Sequence, residues 1–315
     1  MLAIGIDMSK ATFHAALDDL LVRKFKNTRE GIDTFTGAIK SLGHAPGATT
    51  IGVESTGVYH LLFCTKLMEA GYSVMLINPL ESHRFIKARS LRELKTDRVD
   101  AIAIRAMVRV GIGRPFVETD EVLALKALVT ERDGLIHIRS IMKNHREARN
   151  VRTRVISKPL HDPSPSVMAA LDMEIHILEA HLLSYAPATQ YLLRSIPGIG
   201  AISAASLVAH IGDIRRFSSP EKLVAYVGLD CRVHQSGTSV NGRGFISKRG
   251  NHQLRAVLYN AAFSARQTNP DLKAYFEKKV SEGKHYVSAT TAIERKLLHI
   301  VFAVWTRGTP FEARA

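Results

Sequence analysis

Apolar positions along this chain fall into two regimes. Up to about residue 115 they come in short uninterrupted runs, and beyond residue 120 they come at helical spacing. Leu2-Ala3-Ile4-Gly5-Ile6 predicts a strand over 2–7, apolar enough to be buried on both faces. Two further strands, over 12–17 and 21–25, are joined by a short turn around Asp18-Asp19. Thr28 caps a helix through Ile32, Phe35 and Ile39 that ends near Gly43. A fourth strand over 49–54 leads to a helix over 56–70 that stops at Gly71. A fifth strand over 72–77 is closed by Asn78-Pro79. A basic stretch from His83 to Lys95 then precedes a helix over 96–110.

The order β-β-β-α-β-α-β-α implies a mixed sheet with a parallel part. In such a sheet the first and fourth strands lie side by side, and open α/β sheets place their sites at the strands' carboxyl ends. Residues 120–154 carry Leu123, Leu125, Leu128, Leu135, Ile138, Ile141 and Met142 at helical spacing, becoming strongly basic from Arg139 to Arg154. Pro159, Pro163 and Pro165 break that helix, and a second runs over 166–185. The two helices pair as a hairpin or with a second subunit, or serve as a linker bundle. The remainder reads as mostly helical, with a Gly/Ser-rich basic segment over 232–250 and with Phe302, Trp305 and Phe311 as core. The fold class is therefore α/β plus mostly α. The expected domains are 1–115, a helical coiled-coil region over 116–188, and 189–315.

Composition narrows the partners. Lys and Arg number 43 against 29 Asp and Glu, a formal net charge of +14, which favours a polyanion such as DNA or RNA. Only two cysteines, Cys64 and Cys231, are present, which points to a reducing compartment without a disulfide framework. The start, MLAIGIDMSK, lacks the basic region of a signal peptide, and no apolar run approaches the ~20 residues of a membrane span. Cytoplasm is the expected location.

Four acids stand where one topology gathers them. Asp7 and Glu54 end the first and fourth strands, and Asp97 and Asp100 share one face of a helix. Such carboxylates hold Mg²⁺ ions for phosphodiester chemistry, with Mn²⁺ as a substitute. Without a cation, converging carboxylates repel one another. Lys10 lies three residues after Asp7 as a candidate phosphate contact. Ser195-Ile196-Pro197-Gly198-Ile199-Gly200 resembles the turn of helix-hairpin-helix proteins, in which backbone N–H groups at Gly198 and Gly200 face a DNA phosphate; a packing turn is the alternative. In the segment 235–250, Ser236 and Ser239 are candidate nucleophiles, and Arg243, Lys248 and Arg249 are candidate phosphate contacts. By spacing alone the signal for a nucleophile is weak, since a Ser/Gly-rich basic segment is usually a phosphate-contacting or mobile loop. Arg255, on the helix that follows, points toward it. The histidines show no zinc-ligand spacing.

Taken together, several blocks resemble the DEDD transposases of the insertion-sequence family numbered 110. They are Ile4-Gly5-Ile6-Asp7-Met8-Ser9-Lys10, Val53-Glu54-Ser55-Thr56-Gly57-Val58-Tyr59, Ile77-Asn78-Pro79, Lys95-Thr96-Asp97-Arg98-Val99-Asp100-Ala101, Ile196-Pro197-Gly198-Ile199-Gly200 and Ser236-Gly237-Thr238-Ser239-Val240. The resemblance covers nearly the whole chain in the family's order. It implies a RuvC-type RNase H fold with Asp7, Glu54, Asp97 and Asp100 as Mg²⁺-binding acids. It puts Ser236 on the position of the family's catalytic serine, which forms a covalent phosphoserine link to DNA. It further implies homodimers that pair into homotetramers, and a structured bridge RNA that joins donor and target DNA. Lys87, Arg89, Arg92 and residues 143–154 are candidate RNA contacts. A hydrolytic nuclease using the same acids, a non-enzymatic nucleic-acid adaptor, and a kinase of the actin-like ATPase fold are the alternatives.

Overall fold

The apolar run at the start becomes the centre of a sheet. In the computed structural model, which describes residues 2–55, 57–89, 96–117, 119–156, 161–185, 187–231 and 245–313, the chain divides into two compact units, Met1–Val117 and Glu118–Ala315. The first unit contains β1 (Leu2–Met8), β2 (Thr12–Ala16), β3 (Val22–Lys26), α1 (Arg29–Ser41), β4 (Thr49–Glu54), α2 (Leu61–Glu69), β5 (Ser73–Ile77), α3 (Pro79–Arg89), α4 (Asp97–Arg109) and β6 (Arg114–Pro115). The sheet order is β3-β2-β1-β4-β5-β6. β1 pairs parallel with β4 and antiparallel with β2, so the expected neighbours are neighbours.

The two faces of this sheet differ in what covers them. Phe13 packs against Phe25, Phe35 and Phe63, with ring centroids 4.8–5.5 Å apart, in a cluster that ties α1 and α2 to the sheet. On the opposite face Ala3 joins Ile77, Ile104, Met107 and Val108, so α4 lies there. Side chains alternate along a strand, so residues 3, 5 and 7 of β1 share the α4 face. Gly5 and Gly52 are register partners on that face. A Cβ on Gly5 would stand 2.1 Å from the Ala101 carbonyl oxygen, and one on Gly52 2.2 Å from Val108. Two glycines side by side thus let α4 lie on the sheet at backbone distance.

Three local expectations shift. The second helix begins at Leu61 rather than 56: Gly57 takes a positive φ of 56°, and residues 57–60 form a turn. Asn78-Pro79 does more than close β5. The Asn78 side chain accepts a hydrogen bond from the Leu80 N–H, and Pro79 occupies the first turn of α3. The basic stretch therefore begins as a helix. A two-residue strand, β6, pairs with the edge of β5.

The second unit is helical: α5 (Asp120–Thr153), α6 (Ser164–Ser184), α7 (Ala188–Arg194), α8 (Ala201–Ile211), α9 (Pro220–Val227), α10 (His252–Thr268), α11 (Pro270–Ser281) and α12 (Tyr286–Arg307). Ion pairs Arg132–Glu179 and Arg139–Asp172 cross from α5 to α6, and Arg149 pairs with Asp162 just ahead of α6; the opposite order of the partners makes the two helices an antiparallel hairpin. Near its base, Leu125 and Val129 join a core built on Leu207, Leu258, Leu297 and Val301; Phe302, Trp305 and Phe311 pack against it. Among the described residues no helix is long and apolar enough to cross a membrane.

Candidate metal centre and the clamp beside the serine segment

The strand register sets the first site. Pairing of β1 with β4 runs to Ile6↔Val53, and Asp7 and Glu54 follow at adjacent carboxyl ends. Asp7 shares the α4 face with Gly5, and Glu54 shares it with Gly52. α4 runs back down along β1: the Gly5 backbone meets Ala101, and Arg105 donates from Nε to the Ala3 carbonyl at 2.9 Å. Its first turn, with Asp97 and Asp100, therefore lies over the strand ends. Thr96 caps that turn by accepting from the Val99 N–H. The positive end of the α4 dipole faces the acids there.

Asp7 and Asp97 offer ligand atoms within 4.8 Å of each other, and a third residue joins them: His14. His14 is the register partner of Asp7 on β2, and its Nδ1 lies 3.2 Å from Asp97 Oδ2. Sequence reasoning missed it. The signal that finds it is the two-residue alternation of β2 set against β1 across their short turn. Glu54 and Asp100 stand outside that triple. Glu54 Oε2 accepts from the hydroxyl of the buried Ser82 on α3 at 2.7 Å. Asp100 is half-buried one turn into α4. Carboxylate and imidazole donors converging at this spacing fit a divalent cation. Lys10 is exposed in the β1–β2 turn.

A second locus lies in the helical unit. Residues 226–231 and 246–251 are clamped side by side. Cys231 and Ile246 form an antiparallel bridge, the Ser247 N–H donates to the Asp230 carbonyl at 2.8 Å, and the Lys248 N–H donates to Gly228 at 3.0 Å. A Cβ on Gly250 would stand 2.0 Å from the Tyr226 carbonyl oxygen, so only glycine fits. Ser236, Ser239 and Arg243 belong to the segment that leaves and re-enters this neck, and they lie outside the described residues. Arg92 and the side chain of Arg89 lie outside them too. Lys248 and Arg249 are exposed on the returning side.

Arg255 has an internal task. Its Nη1 donates to the carbonyls of Val227 and Gly250, both at 2.9 Å, and so braces the neck from below. Gly198, with φ of 91°, is closed over by α10: a Cβ there would stand 2.4 Å from that of Ala265. Packing against Ala265 requires a glycine here. Gly200 is exposed at the start of α8 with open space around it.

Comparison with known proteins adds the following. A family model for DEDD transposases of the IS110 type, described as "Transposase", matches residues 4–149. A second, described as "Transposase IS116/IS110/IS902 family", matches residues 190–277. The transposase for insertion sequence element IS1111A of Coxiella burnetii is 30% identical, over 99% of this chain and 92% of its own length. The pilin gene-inverting protein of Moraxella lacunata is 28% identical, over 99% of this chain and 98% of its own. The transposase for IS1328 of Yersinia enterocolitica is 26% identical, over 98% of each.

Proposed function

Since the chain belongs to the IS110 family of transposases, we propose that it cuts and rejoins DNA through a phosphoserine link made by Ser236, assisted by its strand-end acids. The observation that carries this reading is the convergence of Asp7 and Asp97 beside the end of β4, where Glu54 sits, in a chain whose relatives move or invert DNA. Asp7, Glu54, Asp97 and Asp100 are the residues that hold Mg²⁺, or Mn²⁺ in its place. When bound, the ion supplies positive charge to the scissile phosphate and favours the deprotonated serine hydroxyl.

Ser236 Oγ attacks phosphorus. An Oγ–P bond forms, the bond from phosphorus to the leaving strand's oxygen breaks, and that oxygen takes up a proton as a free hydroxyl. A hydroxyl from the new partner strand then reverses the step and frees the serine. The phosphodiester bond energy is conserved, which suits inversion and transposition, whereas hydrolysis loses it to water. The clamped neck gives the serine segment fixed points of departure and return, and Lys248 and Arg249 at its base suit the DNA backbone. Gly200 at the α8 N-terminus is a further backbone contact, with Lys10 near the acids.

The active form in this reading is a homotetramer built from homodimers through the α5–α6 hairpin. An element-encoded bridge RNA pairs donor and target DNA, with Lys87 and the basic end of α5 among its contacts. The protein works in the cytoplasm, on the nucleoid.

The test is denaturing electrophoresis after incubating the full-length protein and its co-purified RNA with Mg²⁺ and labelled DNA. A covalent adduct is expected, absent in Ser236→Ala, with both adduct and cutting lost in Asp7→Asn. An undiminished adduct in Ser236→Ala removes the serine from its role. Metal-dependent cutting with no adduct in the unaltered protein identifies a hydrolytic nuclease instead. Sequencing the co-purified RNA should return one structured species; a heterogeneous population would remove the guide.

A further inference from the structure

We propose that His14 is a nitrogen ligand at the strand-end metal centre, and that it biases this centre toward Mn²⁺ over Mg²⁺. This rests on the metal-centre reading above and sharpens it. His14 follows the buried Phe13 and precedes the buried Ala15 on β2, so alternation turns its side chain away from the phenylalanine cluster and onto the α4 face. There it stands opposite Asp7 in the β1–β2 register. It is 20% exposed, and its Nδ1 is 3.2 Å from Asp97 Oδ2. Ligand atoms of Asp7, His14 and Asp97 all lie within 4.8 Å of one another. Donors bound about 2.1 Å from one cation sit about 3–4 Å apart, so these three surround a single ion after small adjustments.

The donor chemistry gives the bias. Mg²⁺ takes oxygen ligands and keeps its water reluctantly exchanged, whereas imidazole suits first-row transition metals. A site with one imidazole among carboxylates therefore gains more from Mn²⁺ than an all-carboxylate site does. The competing role for His14 is an ion pair that merely holds Asp97, with no nitrogen on the metal.

The experiment adds Mn²⁺ alone to the full-length protein and records pulsed EPR alongside calorimetric titration with Mn²⁺ and with Mg²⁺. The expected result is ¹⁴N coupling to bound Mn²⁺ in the unaltered protein, lost in His14→Gln and His14→Ala. Mn²⁺ affinity should fall by at least about tenfold, the scale at which even outer partners of a metal ligand act. Mg²⁺ affinity should change by less than about threefold. Bound Mn²⁺ without nitrogen coupling, its affinity still dependent on Asp7, would leave the centre intact and overturn the role of His14. Mn²⁺ affinity unchanged by Asp7→Asn would instead overturn the metal centre itself, and His14 with it.

Discussion

Glu294 lies on α12 with 3% of its surface exposed, and burial raises its carboxyl pKa to about 7 despite the opposing pull of the Arg255 guanidinium. His210, at 6% exposure on α8, is pushed down to about 4, first by burial and then by Lys126 and His252. The two groups act in opposite directions on stability. The protonated Glu294 stabilises the fold fully below pH 4.5, and that contribution is lost as pH rises through 7. The neutral His210 costs nothing above pH 6.5, but below it the unfolded chain takes up a proton that the folded chain refuses until about 4. Glu294→Gln keeps the shape and removes the first effect. At pH 8 the variant should be more stable than the parent, by up to ~3 kcal/mol, and at pH 4.5 the two should match. Urea unfolding at the two pH values reads this directly, and equal midpoints at pH 8 would contradict it.

The helix that carries two of the acids depends on a floor of two glycines. Gly5→Ala drives a methyl into the Ala101 carbonyl and the Arg105 backbone nitrogen, neither of which moves without the whole of α4. Gly52→Ala meets the end of the Val108 side chain, which can turn. Gly37→Ala, within α1, meets nothing within 4 Å. The expected order of thermal stability is Gly37→Ala at or above the parent, then Gly52→Ala, then Gly5→Ala. The last should lose at least ~1–3 kcal/mol, while the first should gain up to ~0.5–1 kcal/mol. DNA cutting should fall most in Gly5→Ala, because Asp97 and Asp100 ride on the displaced helix. Calorimetry combined with the cleavage assay checks the order, and a Gly5→Ala protein of parental stability would sink the argument.

At the scale of the molecule, the α5–α6 hairpin leaves apolar surface uncovered. Ile138 and Ile141 on α5, and Met173 and Ile177 on α6, are 47%, 40%, 67% and 38% exposed. The ion-pair register sets Ile138 at the level of Met173. In the proposed homodimer a second copy covers these residues. The pair Met173→Lys and Ile177→Lys should therefore reduce the assembly to monomers by light scattering. Its far-ultraviolet circular dichroism should stay the same, because neither residue belongs to the chain's own core. An unchanged mass would move the subunit contact elsewhere.

What the linear chain determined here is local. Unbroken apolar runs, turn residues and helix caps are short-range signals, so the order of β1 to β5, the parallel pairing of β1 with β4, and the placing of Asp7 and Glu54 at adjacent ends were all legible. So was the Asp97–Asp100 face, because helical spacing alone makes it. Other features were not legible. His14 meets Asp97 from a different element, far away along the chain. Arg255 had a visible charge but an unforeseen destination, two carbonyls of its own neck. At Gly198 the turn was legible, but its close approach to Ala265 was not. In each case the partner is distant along the chain and near in space, and a residue's type fixes what it is able to bond, while only the packed backbone fixes what it meets.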